Sequence, residues 1–201
     1  MEAMRQTTPS RDGDDGTGAG LHVVTFGHGT ADAETMTRLL RAAEVRRLVD
    51  VRTAPGSRRN PDAARAAMAD WLPRAGIDYR WDERLGGWRR LPPDSPDIAL
   101  RNESFRGYAG HMRTEEFRAT VDRLLTDAAA GLTAVLCAES VWWRCHRKMI
   151  ADFLVLVHHV DVHHLMHDGT LRPHRPSPQA RPIPDERALV YDRDPSPRSN
   201  E

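Results

Sequence analysis

Apolar residues along this chain fall into short β-branched runs separated by stretches of helical period. Residues 21–26 (LHVVTF) form a continuous apolar run that stops at Gly27, the pattern of a strand buried on both faces. Asp32 then opens an amphipathic stretch with Met36, Leu39, Leu40 and Ala43 on one face, which predicts a helix. Residues 45–51 (VRRLVDV) predict a second strand, and Pro55, Gly56 and Pro61 punctuate the loop after it. An Ala-rich helix over 62–74 follows, then an alternating strand over 77–81 (IDYRW). Residues 86–110 carry Gly, Pro and aromatics without a clean period and read as an excursion holding a short helix or turn. Thr114, followed by Glu115 and Glu116, opens a helix through Ala129, with Gly131 as its stop. The pattern closes with a strand over 132–137 (LTAVLC), a helix over 144–157 and a strand over 160–166 (VDVHHLM).

Strands that alternate with helices pair in parallel and are covered on both faces. The predicted fold class is therefore α/β: three layers, with a mostly parallel sheet of about five strands and helices on either side. In such sheets ligands bind beyond the C-terminal strand ends. The residues leaving those ends are Gly27-His28-Gly29-Thr30, Arg52, Trp81-Asp82-Glu83 and Cys137-Ala138-Glu139-Ser140, and they are expected to share one rim. Strand order is not readable from the pattern.

Composition sets the limits of the domain. The chain has 201 residues, suited to one domain with a full core. Residues 1–20 are rich in Gly, Asp, Thr and Ser, and residues 171–201 in Pro and charge, so both ends read as flexible tails around a 21–170 domain. Twenty-nine basic residues balance 29 acidic ones, a neutrality that gives no general attraction to nucleic acid or membrane. No apolar run is long enough for a membrane helix, and no signal-peptide pattern opens the chain. A cytoplasmic protein with its two cysteines as reduced thiols is expected. Lys148 is the sole lysine against many arginines, so a lone arginine carries little functional weight.

The chemistry-bearing segment is CAESVWWRCHRK, residues 137–148. Cys137 ends a strand, whereas Cys145 and His146 sit near the start of the next helix. There the helix dipole and unpaired N–H groups favour a thiolate. Cys145 is thus a candidate nucleophile, with Cys137 as a second thiol or a small core residue. Glu139 and His146 are candidate proton-transfer groups, and Arg147 a candidate for stabilising negative charge. Two cysteines and a histidine could also hold zinc, but C-x7-C-H lacks the short pitch of common structural sites, so no metal is assigned. The TFGHGT segment, 25–30, resembles the start of an anion-binding loop, and Gly27, His28 and Gly29 with Arg52 are candidate ligand contacts. Tyr108 and His111, near the LGGW turn at 85–88, are further candidates on a loop covering a pocket. The histidines at 163 and 164 face opposite sides of a strand and cannot ligate a metal together.

Taken together, Thr25-x-Gly27-His28, then Leu48-Val49-Asp50-Val51-Arg52 with a Pro-containing loop and Ser57-Arg58, then Cys137-Ala138-Glu139 followed by Cys145-His146-Arg147, resemble the DUF488 family of bacterial and archaeal proteins. Leu85-Gly86-Gly87, Tyr108 and His111-Met112 fit the same order, and the resemblance spans 22–168. It implies a compact α/β domain with a polar, cysteine-containing cleft, and supplies neither substrate nor cofactor. The link SVWWR is bulkier than the family pattern, with Trp142 and Trp143 expected over the cysteine or narrowing a pocket.

Three functions are compatible with these residues. The first is an enzyme, or a domain derived from one, binding a small anionic or nucleotide-like ligand at the rim. The second is a nucleic-acid accessory module using Arg58, Arg59, Arg89, Arg90 and Arg106 for phosphates and Trp88 or Tyr108 for stacking. The third is a metal protein built on Cys137, Cys145 and His146, with His28 or His111 as a further ligand. Convergence of His28, Arg52, Glu139, Cys145 and His146 on one pocket would favour the first.

Overall fold

The computed structural model describes residues 20–56, 59–183 and 185–193. The predicted N-terminal tail, apart from Gly20, and Ser57 and Arg58 lie outside the described residues. Five strands run parallel: β1 (His22–Gly27), β2 (Arg47–Asp50), β3 (Asp78–Trp81), β4 (Thr133–Cys137) and β5 (Asp161–Leu165). A sixth, β6 (Leu171–Pro173), adds antiparallel to β5, giving the order β3-β2-β4-β1-β5-β6. From β1 the chain moves outward to β2 and β3, then returns to place β4 between β1 and β2. The C-terminal ends of β1, β2 and β4 therefore lie side by side, at the point where the winding reverses.

Alternation along each strand divides the core into two layers. Val24, Phe26, Leu48, Ala134 and Leu136 face α1 (Ala33–Ala42) and α2 (Arg65–Arg74), meeting Met36, Leu39, Leu40, Met68 and Leu72. Val23, Val49, Val135 and Val162 face the other way, toward α3 (Glu103–Met112), α4 (Glu115–Ala130) and α5 (Arg147–His158). Each fully buried aliphatic or aromatic side chain contributes about 1.5–3 kcal/mol. Local signals set the helix starts: Asp32 caps α1 by accepting from Thr35 N at 2.8 Å, and Thr114 caps α4 by accepting from Phe117 N at 3.3 Å. The excursion between β3 and α4 contains α3, capped by Asn102. The last helix starts later than its period suggests. Trp142–Arg144 form a single 3-10 turn, Cys145 is extended and His146 is the N-cap.

The C-terminal segment departs most from expectation. Instead of a flexible tail from 171 onward, residues 171–191 supply β6 and a hairpin of β7 (Ala180–Ile183) and β8 (Ala188–Tyr191) packed on the α3–α5 side. Two buried carboxylates hold it there. Asp152 of α5 accepts from His174 Nε2 at 2.9 Å, from the Ser177 amide at 2.8 Å and hydroxyl at 2.6 Å, and from Tyr191 O–H at 3.0 Å. Asp97 accepts from both Arg113 terminal nitrogens at 2.9 and 2.7 Å and from the Tyr191 amide at 3.1 Å. Composition misleads here because Pro and Arg dominate the count while the apolar run ALVY, fully buried in β8, does the packing.

Replacing Asp152 with Ala leaves these buried donors unmet and should destabilise the domain by roughly 3–5 kcal/mol. Removing residues 171–201 should cost at least as much in urea denaturation. An unchanged midpoint in the truncated chain would mean that the segment is dispensable.

Candidate functional site

Two polar systems meet where β1, β2 and β4 end. The first begins at Asp50, the last residue of β2 and fully buried. Its carboxylate accepts from Arg52 Nε at 2.8 Å, Arg52 Nη2 at 2.6 Å, the Arg52 amide at 3.1 Å and Tyr79 O–H at 2.8 Å. The remaining Arg52 nitrogen, Nη1, donates to His28 Nε2 at 3.0 Å, while His28 Nδ1 donates to the Gly29 carbonyl at 2.9 Å. This assigns a neutral imidazole. Burial and the adjacent Arg52 charge lower its pKa from 6.5 to about 4. Arg52 reaches the cleft, but all three of its guanidinium nitrogens already donate to Asp50, Met68 or His28.

The second system lies beyond β4. Cys137 Sγ, Cys145 Sγ and His146 Nδ1 all lie within 4.8 Å of one another. His146 Nδ1 is 4.0 Å from Cys137 Sγ and 3.7 Å from Cys145 Sγ. Both thiols are free and nearly covered, 8% and 5% exposed. Arg147 is 1% exposed, donates Nη2 to the Glu139 carbonyl, and has no hydrogen-bond partner for Nε among the described residues. It makes no ion pair with a carboxylate among the described residues, so a buried positive charge faces the sulfurs uncompensated. The Cys145 thiol is pushed strongly down, first by hydrogen bonding from the Cys137 thiol and then by His146 and Arg147, against desolvation. Cys137 is correspondingly pushed up by Cys145 and by burial.

Both sulfurs floor a cleft of about 320 Å³. One wall is the segment after β2, Arg52 to Ala54, and another is Glu139 and Arg144. Gly87, Trp88, Ser104 and Phe105 complete it from the excursion and α3. Trp88 is 78% exposed at the rim.

The family model described as "Domain of unknown function DUF488" matches residues 32–154. The chain belongs to the DUF488 family. No curated protein and no solved structure matches it. The match covers both polar systems of this DUF488 domain except His28, which stands just before it.

Among the sequence-predicted site residues, Arg52, Cys137, Glu139, Cys145 and His146 line the cleft together. His28 stands behind Arg52, and Arg147 lies beneath the sulfurs. At Gly27, His28, Gly29, Tyr108 and His111 the groups expected to meet a ligand are engaged by the protein itself. The His28 and Gly29 amides donate to the Cys137 and Ala138 carbonyls at 3.0 and 2.9 Å, continuing the sheet, so they are not free for an anion. The close approach at Gly27 is to protein: a Cβ there would collide with the Glu139 carbonyl and the Arg147 guanidinium. Tyr108 is fully buried and donates to the Leu85 carbonyl at 2.9 Å, and His111 Nε2 bonds the Arg84 carbonyl at 2.6 Å. Both shape the Gly86-Gly87 turn from behind. That turn presses on the site, because a Cβ on Gly87 would come within 2.6 Å of His146 Nδ1.

Sequence reading missed other contacts altogether. Trp142, expected over a cysteine, instead stacks on His164 at 3.9 Å. His164 belongs to a buried chain: Thr25 O–H donates to its Nδ1 at 2.6 Å, and its Nε2 donates to His174 Nδ1 at 3.0 Å, leading on to Asp152. As the alternation requires, His163 faces the other side. There it pairs with His22 across the strands at 2.9 Å, near Asp161. Only parallel pairing of β1 with β5 reveals either partnership. No helix among the described residues is long and apolar enough to cross a membrane.

His28 and His164 set a pH dependence. Their folded pKa values, about 4 and about 3, lie below the 6.5 of a free imidazole, so the unfolded chain binds protons that the folded chain refuses. The stability they contribute is complete above pH 6.5 and is lost as pH falls toward 4. His28→Gln keeps an acceptor for Arg52 but cannot titrate. It should flatten part of this slope in denaturation curves measured across that window.

Proposed function

We propose that this DUF488 protein is a thiol-dependent enzyme, or a domain derived from one, that binds a small anionic or nucleotide-like ligand in the cleft and attacks it with the Cys145 thiolate. One observation carries the reading: Cys145 Sγ clusters with a second thiol and an imidazole within 4.8 Å, close to a buried arginine that has no carboxylate partner among the described residues, and it lines an accessible cleft. A buried guanidinium without a counter-ion is costly. A thiolate, or the anionic group of a ligand, relieves that cost. Arg144, exposed on the wall and without an ion pair among the described residues, adds attraction at the entrance, and Trp88 offers a face for an aromatic or base moiety. Glu139 is the carboxylate available for proton transfer at the mouth, its Oε1 accepting from the Val141 amide at 3.0 Å. Thiol chemistry of this kind fits a reducing cytoplasm.

The competing readings have less support. Arg89, assigned to phosphate in a nucleic-acid module, is spent on the carbonyls of Gly86, Glu83 and Arg84. The thiols and His146 offer a metal three donors, but a ligating imidazole normally donates its other nitrogen to a partner, and His146 Nε2 is buried without one. Arg147 adds positive charge where a cation would sit. Elemental analysis of tag-free protein tests this directly.

Alkylation by iodoacetamide, followed against pH, tests the thiolate. Cys145 should react with a midpoint well below the usual thiol value, and Arg147→Met should raise that midpoint while leaving stability unchanged or higher. Two cysteines that both titrate as ordinary thiols would overturn the proposal.

A further inference from the structure

The second thiol has no part in a single attack by Cys145, yet the fold buries it against the first. We propose that Cys137 and Cys145 act as a dithiol–disulfide couple that reduces a small anionic disulfide; this rests on the thiolate reading of Cys145 and names its reaction class. Cys137 is held at the end of β4, a strand buried along its whole length. Cys145 is on extended backbone (φ −121°, ψ 149°), between a single 3-10 turn and the start of α5. The sulfurs lie within 4.8 Å of each other, and the link between them is exposed at Ala138-Glu139-Ser140 and at Trp143-Arg144, so closing that distance to a disulfide requires movement of the solvent-facing Cys145 side of the link rather than of the β4 strand.

The steps balance without another redox partner. The Cys145 thiolate attacks one sulfur of R–S–S–R, forming Cys145–S–S–R and releasing RS⁻. Cys137 then gives up its proton to the departing sulfur and attacks Cys145 Sγ. The Cys145–SR bond breaks, the second R-thiol leaves, and Cys137–S–S–Cys145 remains. Two protein thiols have been oxidised and one disulfide reduced to two thiols. An excess of low-molecular-weight thiol returns the protein to the dithiol by the reverse steps.

The order of the steps is built into the pair. While Cys145 is a thiolate, its charge and burial hold Cys137 protonated. Once Cys145 has become a mixed disulfide that charge is gone, and Cys137 becomes competent to resolve it. Substrate size follows from burial: both sulfurs are nearly covered and line a cleft of about 320 Å³, which favours a small disulfide over one held within a folded protein. Charge follows from Arg144 on the wall, which makes no ion pair among the described residues, while Arg147 below is matched by the Cys145 thiolate and the Glu139 carboxylate on the wall accepts from the Val141 amide.

The test uses the full chain in buffers of reduced and oxidised glutathione, quenched with an alkylating agent and read by intact mass and peptide mapping. The wild-type protein should accumulate an internal Cys137–Cys145 disulfide. Cys137→Ala and Cys137→Ser should stop at a glutathione adduct on Cys145, and Cys145→Ala should form neither product at a comparable rate. Oxidised glutathione should react about tenfold or more faster than cystamine, a dication. If the wild-type protein stops at the Cys145 adduct, the couple is refuted while the thiolate reading stands. If neither cysteine reacts at neutral pH, the thiolate reading fails as well. Equal or faster reaction with cystamine, or with a protein disulfide such as that of insulin, would overturn the assigned substrate class.

Discussion

Arg147 is the residue around which the site is organised. Its guanidinium is almost wholly buried at the start of α5, with Nη2 on the Glu139 carbonyl and no carboxylate opposite among the described residues. Desolvating a charge without an ion pair costs several kcal/mol, and a fold keeps such an arrangement when something in the site uses the charge. Several neighbouring features follow from it. Position 27 has no room for a side chain because the Glu139 carbonyl, and the guanidinium that donates to it, pack against the backbone there. The loop after β4 is pulled over the end of β1, which brings Glu139 to the wall of the cleft. Both sulfurs lie in a positive field, and the imidazoles of His28 and His164 are held neutral partly by the same charge.

Around this unbalanced charge the molecule places fully balanced ones. Asp50 takes four donors and turns Arg52 from a free cation into a rigid wall. Asp152 and Asp97 do the same for the C-terminal hairpin. Buried carboxylates that are this well satisfied act as fixed points, since removing any one donor leaves the others in a geometry that only the folded chain provides. The contrast separates framework from function. The paired carboxylates hold the structure, whereas beside the cleft Arg147 Nε and His146 Nε2 are buried with no hydrogen-bond partner among the described residues.

Much of the framework is visible in the pattern of the chain. The period of each segment and the caps Asp32 and Thr114 are local properties, so the five parallel strands and most of the helices appear where expected. The roles of Tyr108 and His111 were not legible, because a tyrosine or histidine near a Gly-Gly turn looks the same whether it faces solvent or supports the turn from within. The anion-loop reading of 27–29 failed for a related reason. Glycines and free amides signal a ligand only if the neighbouring strand leaves those amides unpaired, and β4 pairs with them. The C-terminal segment reads as a tail because its partners, Asp97 and Asp152, are distant in sequence.

The sequence by itself determined that strands and helices alternate, that the chemistry gathers at the strand C-terminal ends, and that Cys145 stands beside a histidine and an arginine. These follow from local periodicity and from the handedness of parallel connections. Tertiary structure alone decided that β4 lies between β1 and β2, that Arg52 meets His28, that the Cys137–Cys145 segment folds back so its sulfurs and His146 cluster, and that Arg147 has no counter-charge among the described residues. Those outcomes depend on which strand ends become neighbours and on which polar groups lose water together. Both are set by long-range packing, which no local window of the chain contains.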